Sequence, residues 1–185
     1  MLRSRRVVLT NGVDRDEVDD LAHRVGWRLS NVIAANPQLP AQVIFSTTEA
    51  QTFIFMVEDA RLDAVYLMAA GPGHEEAESQ CRQLPHVDRE TLDAMLAPTA
   101  SKAIRCRGLG LLVLVADNDP RTDDLNVITQ AMQDPDEQLR RSALTACSYA
   151  PWGELTIALR QMAEHDASGS LRDGAQQILA ARGEG

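Results

Sequence analysis

The chain has 185 residues, 44% of them hydrophobic and 24% charged, with a formal net charge of -9 and a pI near 4.9. That hydrophobic share can fill a core, which argues against global disorder, and only 4% of residues are aromatic, which suits close-packed helices better than an all-β sandwich. The acidic balance disfavours nucleic acid and anionic membrane as partners; solubility alone accounts for it, and a protein partner with a basic surface is the further reading it favours.

Compartment signals agree with one another. Cys81, Cys106 and Cys147 are scattered and form no CxxC pair, the usage of reduced thiols rather than of a disulfide framework. The basic start, Arg3, Arg5 and Arg6, is followed only by Val7-Val8-Leu9 before Thr10-Asn11-Gly12, too little for a signal-peptide core. The longest apolar run, Leu109 to Ala116, is interrupted by Gly110 and is far short of a membrane span. A cytoplasmic location is expected.

In chain order, Arg6 to Thr10 reads as a short strand stopped by Asn11-Gly12. Asp14 then caps a helix, with Glu17 completing a capping box. Val18, Leu21, Ala22, Val25, Leu29, Val32 and Ile33 recur at helical spacing, which predicts one helix from Asp14 to Ala35, ended by Asn36-Pro37. Strands are predicted over Gln42 to Thr47, Thr52 to Glu58 and Asp63 to Ala70. Their short links, Thr48-Glu49-Ala50 and Asp59-Ala60-Arg61, imply antiparallel neighbours. Gly71-Pro72-Gly73 closes a small β-α-β-β-β unit whose sheet packs on the helix, so residues 1–73 are expected to form an α+β domain.

From residue 74 to residue 185 the pattern is helical. The expected helices are His74 to Gln83, Asp88 to Leu96, Ser101 to Ala116, Thr122 to Gln133, Glu137 to Ala150, Glu154 to Glu164 and Ser170 to Ala181, with Pro, Gly or Asp in the gaps. Leu111-Leu112-Val113-Leu114-Val115 would also serve as a buried strand, but its helical flanks favour a buried helix.

A repeat runs through this half. Ile104-Arg105, Leu139-Arg140 and Leu171-Arg172 recur 35 and then 32 residues apart, each preceded by a short helix bearing Met95, Met132 or Met162. The sharpest copy, Asp134-Pro135-Asp136-Glu137-Gln138-Leu139-Arg140-Arg141-Ser142-Ala143-Leu144, has a weaker counterpart starting at Asp166. An aspartate can cap the next helix and proline tolerates its first turn. Ala143, Ala146 and Ala150 let neighbouring helices approach. In period and content, residues from about 99 to 182 resemble short bacterial HEAT-like repeats. The first copy departs from that pattern, with Thr99-Ala100-Ser101 where the Asp-Pro-Asp turn belongs. The resemblance implies stacked helix pairs offering a ridged docking surface. It also implies that Arg105, Arg140 and Arg172 brace the turn of an adjacent repeat; the sharper alternative is a row of guanidiniums that binds a ligand.

Trp152, between Pro151 and Gly153, is a candidate anchor for a partner if exposed, or else packs the turn between two helices. Other constellations are weak. Asp117-Asn118-Asp119 with Asp123-Asp124 lacks the glycine and glutamate that a calcium loop needs and reads as a helix stop followed by a cap. His74 beside Glu75, Glu76 and Glu78 reads as acidic enrichment of a first helical turn. Ser46, Cys147 and Ser148 lack the setting of a nucleophile, and no cofactor is implied.

The expected function is therefore a non-enzymatic protein-binding module: an adaptor, an inhibitor or an immunity-type protein. The alternatives are an accessory subunit of a larger assembly, or an enzyme of the bilin-lyase type that the HEAT-like resemblance brings with it.

Overall fold

The computed structural model describes residues 2–47, 51–118 and 120–183. Two compact units divide the chain, Met1–Asp88 and Arg89–Gly185. The layout is α+β: a five-stranded antiparallel sheet in the amino-terminal part, then a run of helices.

The first unit runs β1 (Val7–Val8), α1 (Arg15–Val25), β2 (Arg28–Ile33), β3 (Ala41–Ser46), β4 (Phe53–Asp59), β5 (Ala64–Ala70) and α2 (His74–Cys81). Its sheet has the order β1-β5-β4-β3-β2 with every pairing antiparallel. The capping box forms as the sequence indicates: the Glu17 amide donates to Asp14 at 3.1 Å and the Asp14 amide to Glu17 at 3.0 Å.

The helix expected to reach Ala35 stops ten residues earlier, at Val25, and Arg28–Ile33 is a strand. Gly26 takes φ +78°, a left-handed conformation that is open to glycine without penalty. Its amide bonds to the His23 carbonyl (3.3 Å) and the next amide, of Trp27, reaches the Ala22 carbonyl (2.8 Å). This is the Schellman pair of bonds that satisfies a helix end.

The spacing of Leu29 and Val32 misleads for a definite reason. The register against β3 slips between Leu29 and Asn31, so Leu29 pairs with Phe45 and Val32 with Val43. Directly paired side chains share a face of the sheet. The bulge therefore puts residues three apart on one face, the same spacing that a helix uses. Phe45 and Val43 belong to the core face, yet Leu29 and Val32 are 58% and 59% exposed.

That core face carries Val43 and Phe45 of β3, Ile54 and Met56 of β4, and Leu67 and Ala69 of β5 against Val18, Leu21 and Ala22 of α1. Ala77 and Cys81 of α2 join the same cluster, and the Trp27 indole N–H donates to Gln80 at 3.0 Å. The packing boundary thus falls after Asp88, whereas the change of secondary structure falls near Gly73. The Leu84–Val87 segment closes the β1 edge, with the Val87 amide bonded to the Val8 carbonyl at 2.8 Å and the Thr10 amide to the Pro85 carbonyl at 3.1 Å. The expected link Thr48-Glu49-Ala50 lies outside the described residues.

The second unit comprises α3 (Arg89–Leu96), α4 (Lys102–Ala116), α5 (Thr122–Met132), α6 (Glu137–Tyr149), a 3₁₀ turn (Gly153–Leu155), α7 (Thr156–His165) and α8 (Gly169–Ala181). Short turns fold the helices into the pairs α3/α4, α5/α6 and α7/α8. Across pairs, α4 packs on α6, α6 on α8, and α5 on α7. The result is three helix pairs stacked in two layers.

Leu139, Ala143, Leu144, Leu155, Leu159 and Leu171 are all buried, as the repeat spacing requires. The ambiguous Leu111 to Val115 run is helical. Every residue of α4 from Gly108 to Leu114 is buried, and a helix enclosed on all sides needs no polar face. It is this enclosure that gives the run its strand-like composition.

Candidate functional site

The arginines singled out by the repeat spacing lie along one edge of the helix stack, at the starts of α4, α6 and α8. Arg140 is the most fully engaged. Its Nε and Nη2 donate to the two carboxylate oxygens of Asp166 at 2.8 and 3.2 Å. Its Nη1 donates to the Asp134 and Pro135 carbonyls at 3.0 and 3.1 Å. One guanidinium therefore ties its own turn to the next one. The side chains are 13% and 4% exposed respectively, a sheltered bidentate pair of the stronger kind.

Arg105 repeats the arrangement more loosely, with Nη2 3.6 Å from Asp134 of the following turn. Lys102 adds a contact at 2.9 Å to Asp136. Arg172 keeps only the local half of the motif. Its Nη1 donates to the Asp166 and Ala167 carbonyls, and among the described residues no carboxylate of a further turn meets its remaining nitrogens.

The aspartates are preorganised as acceptors. Asp134 takes the Asp136 amide at 2.9 Å and Asp166 takes the Ser168 amide at 2.8 Å. Asp136 caps α6 through the Gln138 and Leu139 amides, at 2.8 and 3.4 Å. Burial pushes the Asp166 carboxyl up, but the bonds from Arg140 and Ser168 and the charges of Arg140 and Arg172 outweigh it and hold the group below the usual carboxylate range. The Lys102 hydrogen bond chiefly holds Asp136 down, and Asp136 in turn raises Lys102.

Trp152 is 3% exposed and its indole N–H donates to the Asp117 carbonyl at 2.7 Å. It fills the turn between α6 and α7 and so is withdrawn from the surface, the packing alternative weighed for it above. One further residue completes this corner. Arg182 donates to the Trp152, Cys147 and Ala150 carbonyls at 3.1, 2.9 and 2.7 Å, tying the end of α8 to the carbonyls that finish α6. No spacing rule in the sequence marks it.

Asp124 is also unexpected. Taken from sequence as part of a cap, it does accept the Arg121 amide at 3.0 Å, but it is 1% exposed and paired to Arg89 of α3 at 2.5 Å. Burial raises its pKa despite the opposing charge and hydrogen bond of Arg89. Asp119, in the Asp-rich loop, lies outside the described residues.

A groove of about 600 Å³ runs between α6 and α8 on the same layer, lined by Leu144, Thr145, Ser148, Tyr149, Gln177 and Ile178 among others. A second hollow of about 520 Å³ lies beside Arg140 and Asp166 and includes Met132, Met162 and His165. Among the described residues no three His, Cys, Asp or Glu side chains converge as metal ligands would. Nor is any helix there long and apolar enough to cross a membrane. The thiols of Cys81 and Cys147 are buried, and burial pushes both up to about 12. No protein-family model, curated protein or solved structure matches this chain.

Proposed function

We propose that the protein is a non-enzymatic binding module in which the second unit, a HEAT-like stack of three helix pairs, holds a protein partner in its α6–α8 groove. One observation carries the reading: Arg105 and Arg140 each pair with the aspartate of the following turn, so adjacent pairs are locked in register. A locked stack presents its groove already formed, which lowers the ordering cost of binding.

Charge adds to this. Both units hold more Asp and Glu than Lys and Arg. A partner with a basic surface would therefore be steered toward the molecule and associate faster at low salt. The buried, high-pKa thiols of Cys81 and Cys147 are poor nucleophiles, which is consistent with a binding role.

The test is to use the whole chain as bait in an extract of its native cells, purify the captured protein, and reassemble the complex from the two pure components. Thr145→Arg and Gln177→Arg, at the groove rim, should weaken the reassembled complex at least tenfold without changing the melting temperature. Raising ionic strength should slow association more than it speeds dissociation. A captured small-molecule substrate with turnover, or a complex indifferent to both groove variants, would overturn the reading.

A further inference from the structure

We propose that two copies of this chain join edge to edge through β2, antiparallel about a two-fold axis at Asn31, so that their two sheets continue as one. This goes beyond the binding role above, since it uses the first unit and takes a second copy as the occupant.

β2 is the last strand of its sheet, and among the described residues no segment pairs with its outer edge. Arg28 to Val32 are exposed and Ile33 is half-buried. Against β3, the rungs of β2 are Arg28, Leu29, Asn31, Val32 and Ile33, facing Ser46, Phe45, Ile44, Val43 and Gln42 in turn, with Ser30 bulged out of the count. The Val32 amide donates to the Asn31 side-chain oxygen at 2.9 Å, so it points away from β3. Backbone groups on alternate rungs of an antiparallel strand point to the same side. Leu29 lies two rungs from Val32, and its amide and carbonyl therefore point outward as well.

These five rungs are self-complementary about Asn31, as a two-fold interface requires. The axis sets Leu29 opposite the second copy's Val32, and Val32 opposite its Leu29. Those are the rungs whose backbone groups face outward, so both pairs can exchange N–H···O bonds. The same pairing settles the apolar side chains. Leu29 and Val32 share the core face with Phe45 and Val43, yet α1 leaves them 58% and 59% exposed. Paired across the axis, they cover one another. On the opposite face the apolar stem of Arg28 lies along the second copy's Ile33. The two Asn31 carboxamides meet there, each exchanging its Val32 amide for the other carboxamide.

Charge favours a second copy over a basic partner at this edge. The chain carries a net charge of -9, but from Gly26 to Thr48 it has no Asp or Glu, and Arg28 is the one charged residue. Two copies can approach here with little repulsion, whereas a basic surface is drawn to the acidic parts of the molecule. β2 also has no lysine or proline of the kind that keeps an exposed edge from pairing. Its bulge puts both apolar side chains on one face.

The experiment is sedimentation equilibrium of the whole chain over a wide concentration range. The mass should rise from 20.3 kDa to twice that value. Leu29→Lys and Val32→Lys, at exposed positions, should each keep the parent's circular dichroism and weaken the dimer tenfold or more. In a Cys106→Ser background, Asn31→Cys should form an intermolecular disulfide on mild oxidation, because directly opposed rungs of this type bring Cα atoms to about 4.5 Å. Leu29→Cys and Val32→Cys should cross-link to each other when mixed and hardly at all alone. A chain that stays monomeric at every concentration, or a dimer that survives both lysine variants, would overturn the proposal. So would a dimer in which Asn31→Cys fails to cross-link. Thr145→Arg and Gln177→Arg should leave the dimer intact; its loss in either would put the contact in the α6–α8 groove and overturn the β2 assignment.

Discussion

Removing Arg140 should be the most damaging single change at the surface of the helix stack. Arg140→Ala deletes two bonds to Asp166 and two to backbone carbonyls, and it leaves a carboxylate that is only 4% exposed with the Ser168 amide as its remaining strong donor. A charged hydrogen-bonded pair contributes about 1.5–3 kcal/mol, and stripping one partner from a buried pair costs about 3–5 kcal/mol. Solvent reaches the edge of this turn, so a loss of about 2–3 kcal/mol is expected. With a urea slope of about 1–3 kcal/mol/M, the midpoint should drop by about 1 M. The assay is urea denaturation followed by far-UV circular dichroism. The acid limb should also move. Because the folded-state pKa of Asp166 lies below its ordinary value, its contribution is present above that ordinary range and is lost as pH falls through the folded value. Without Arg140 the folded value rises, so acid unfolding should begin at higher pH. Lys102→Ala, which breaks a far more exposed pair, should leave both curves near the parent's. An Arg140→Ala protein that unfolds like the parent would refute the bracing role.

Other outcomes follow from the same contacts. Carboxyl NMR titration should find Asp124 titrating above the ordinary aspartate range and Asp166 and Asp136 below it; the reverse order would contradict the burial assigned to Asp124. Iodoacetamide at neutral pH should modify Cys106, which is partly exposed, and spare Cys81 and Cys147 until the chain unfolds. Gly71→Ala should destabilise by more than about 1 kcal/mol, because Gly71 sits at φ +119° and a Cβ there would lie 2.7 Å from the Gln51 carbonyl oxygen. Equal melting of that variant and the parent would mean the turn relaxes freely.

Much of the architecture is legible in the sequence because it rests on local rules. Asp14 and Glu17 announce the start of α1, and the period linking Arg105, Arg140 and Arg172 marks corresponding points on three helix pairs. What fails does so where one signal serves two structures. Leu29 and Val32 keep helical spacing inside a bulged strand, and the glycine that ends α1 is unremarkable until its conformation is known. Arg182 reaches its carbonyls over 30, 32 and 35 residues and Asp124 reaches Arg89 over 35, and no periodicity announces such pairings. Trp152 shows the limit of reading composition as function. A tryptophan in a turn suits an interface, but here its ring packs the corner and its N–H finds a backbone carbonyl.

The most direct measurement is backbone hydrogen exchange of the whole chain, alone and saturated with the purified partner. If the helix stack is the binding element, partner-induced protection should concentrate in α6 and α8, around residues 141–149 and 172–182. Protection confined to the sheet of the first unit, or exchange unchanged throughout at saturating partner, would contradict the account.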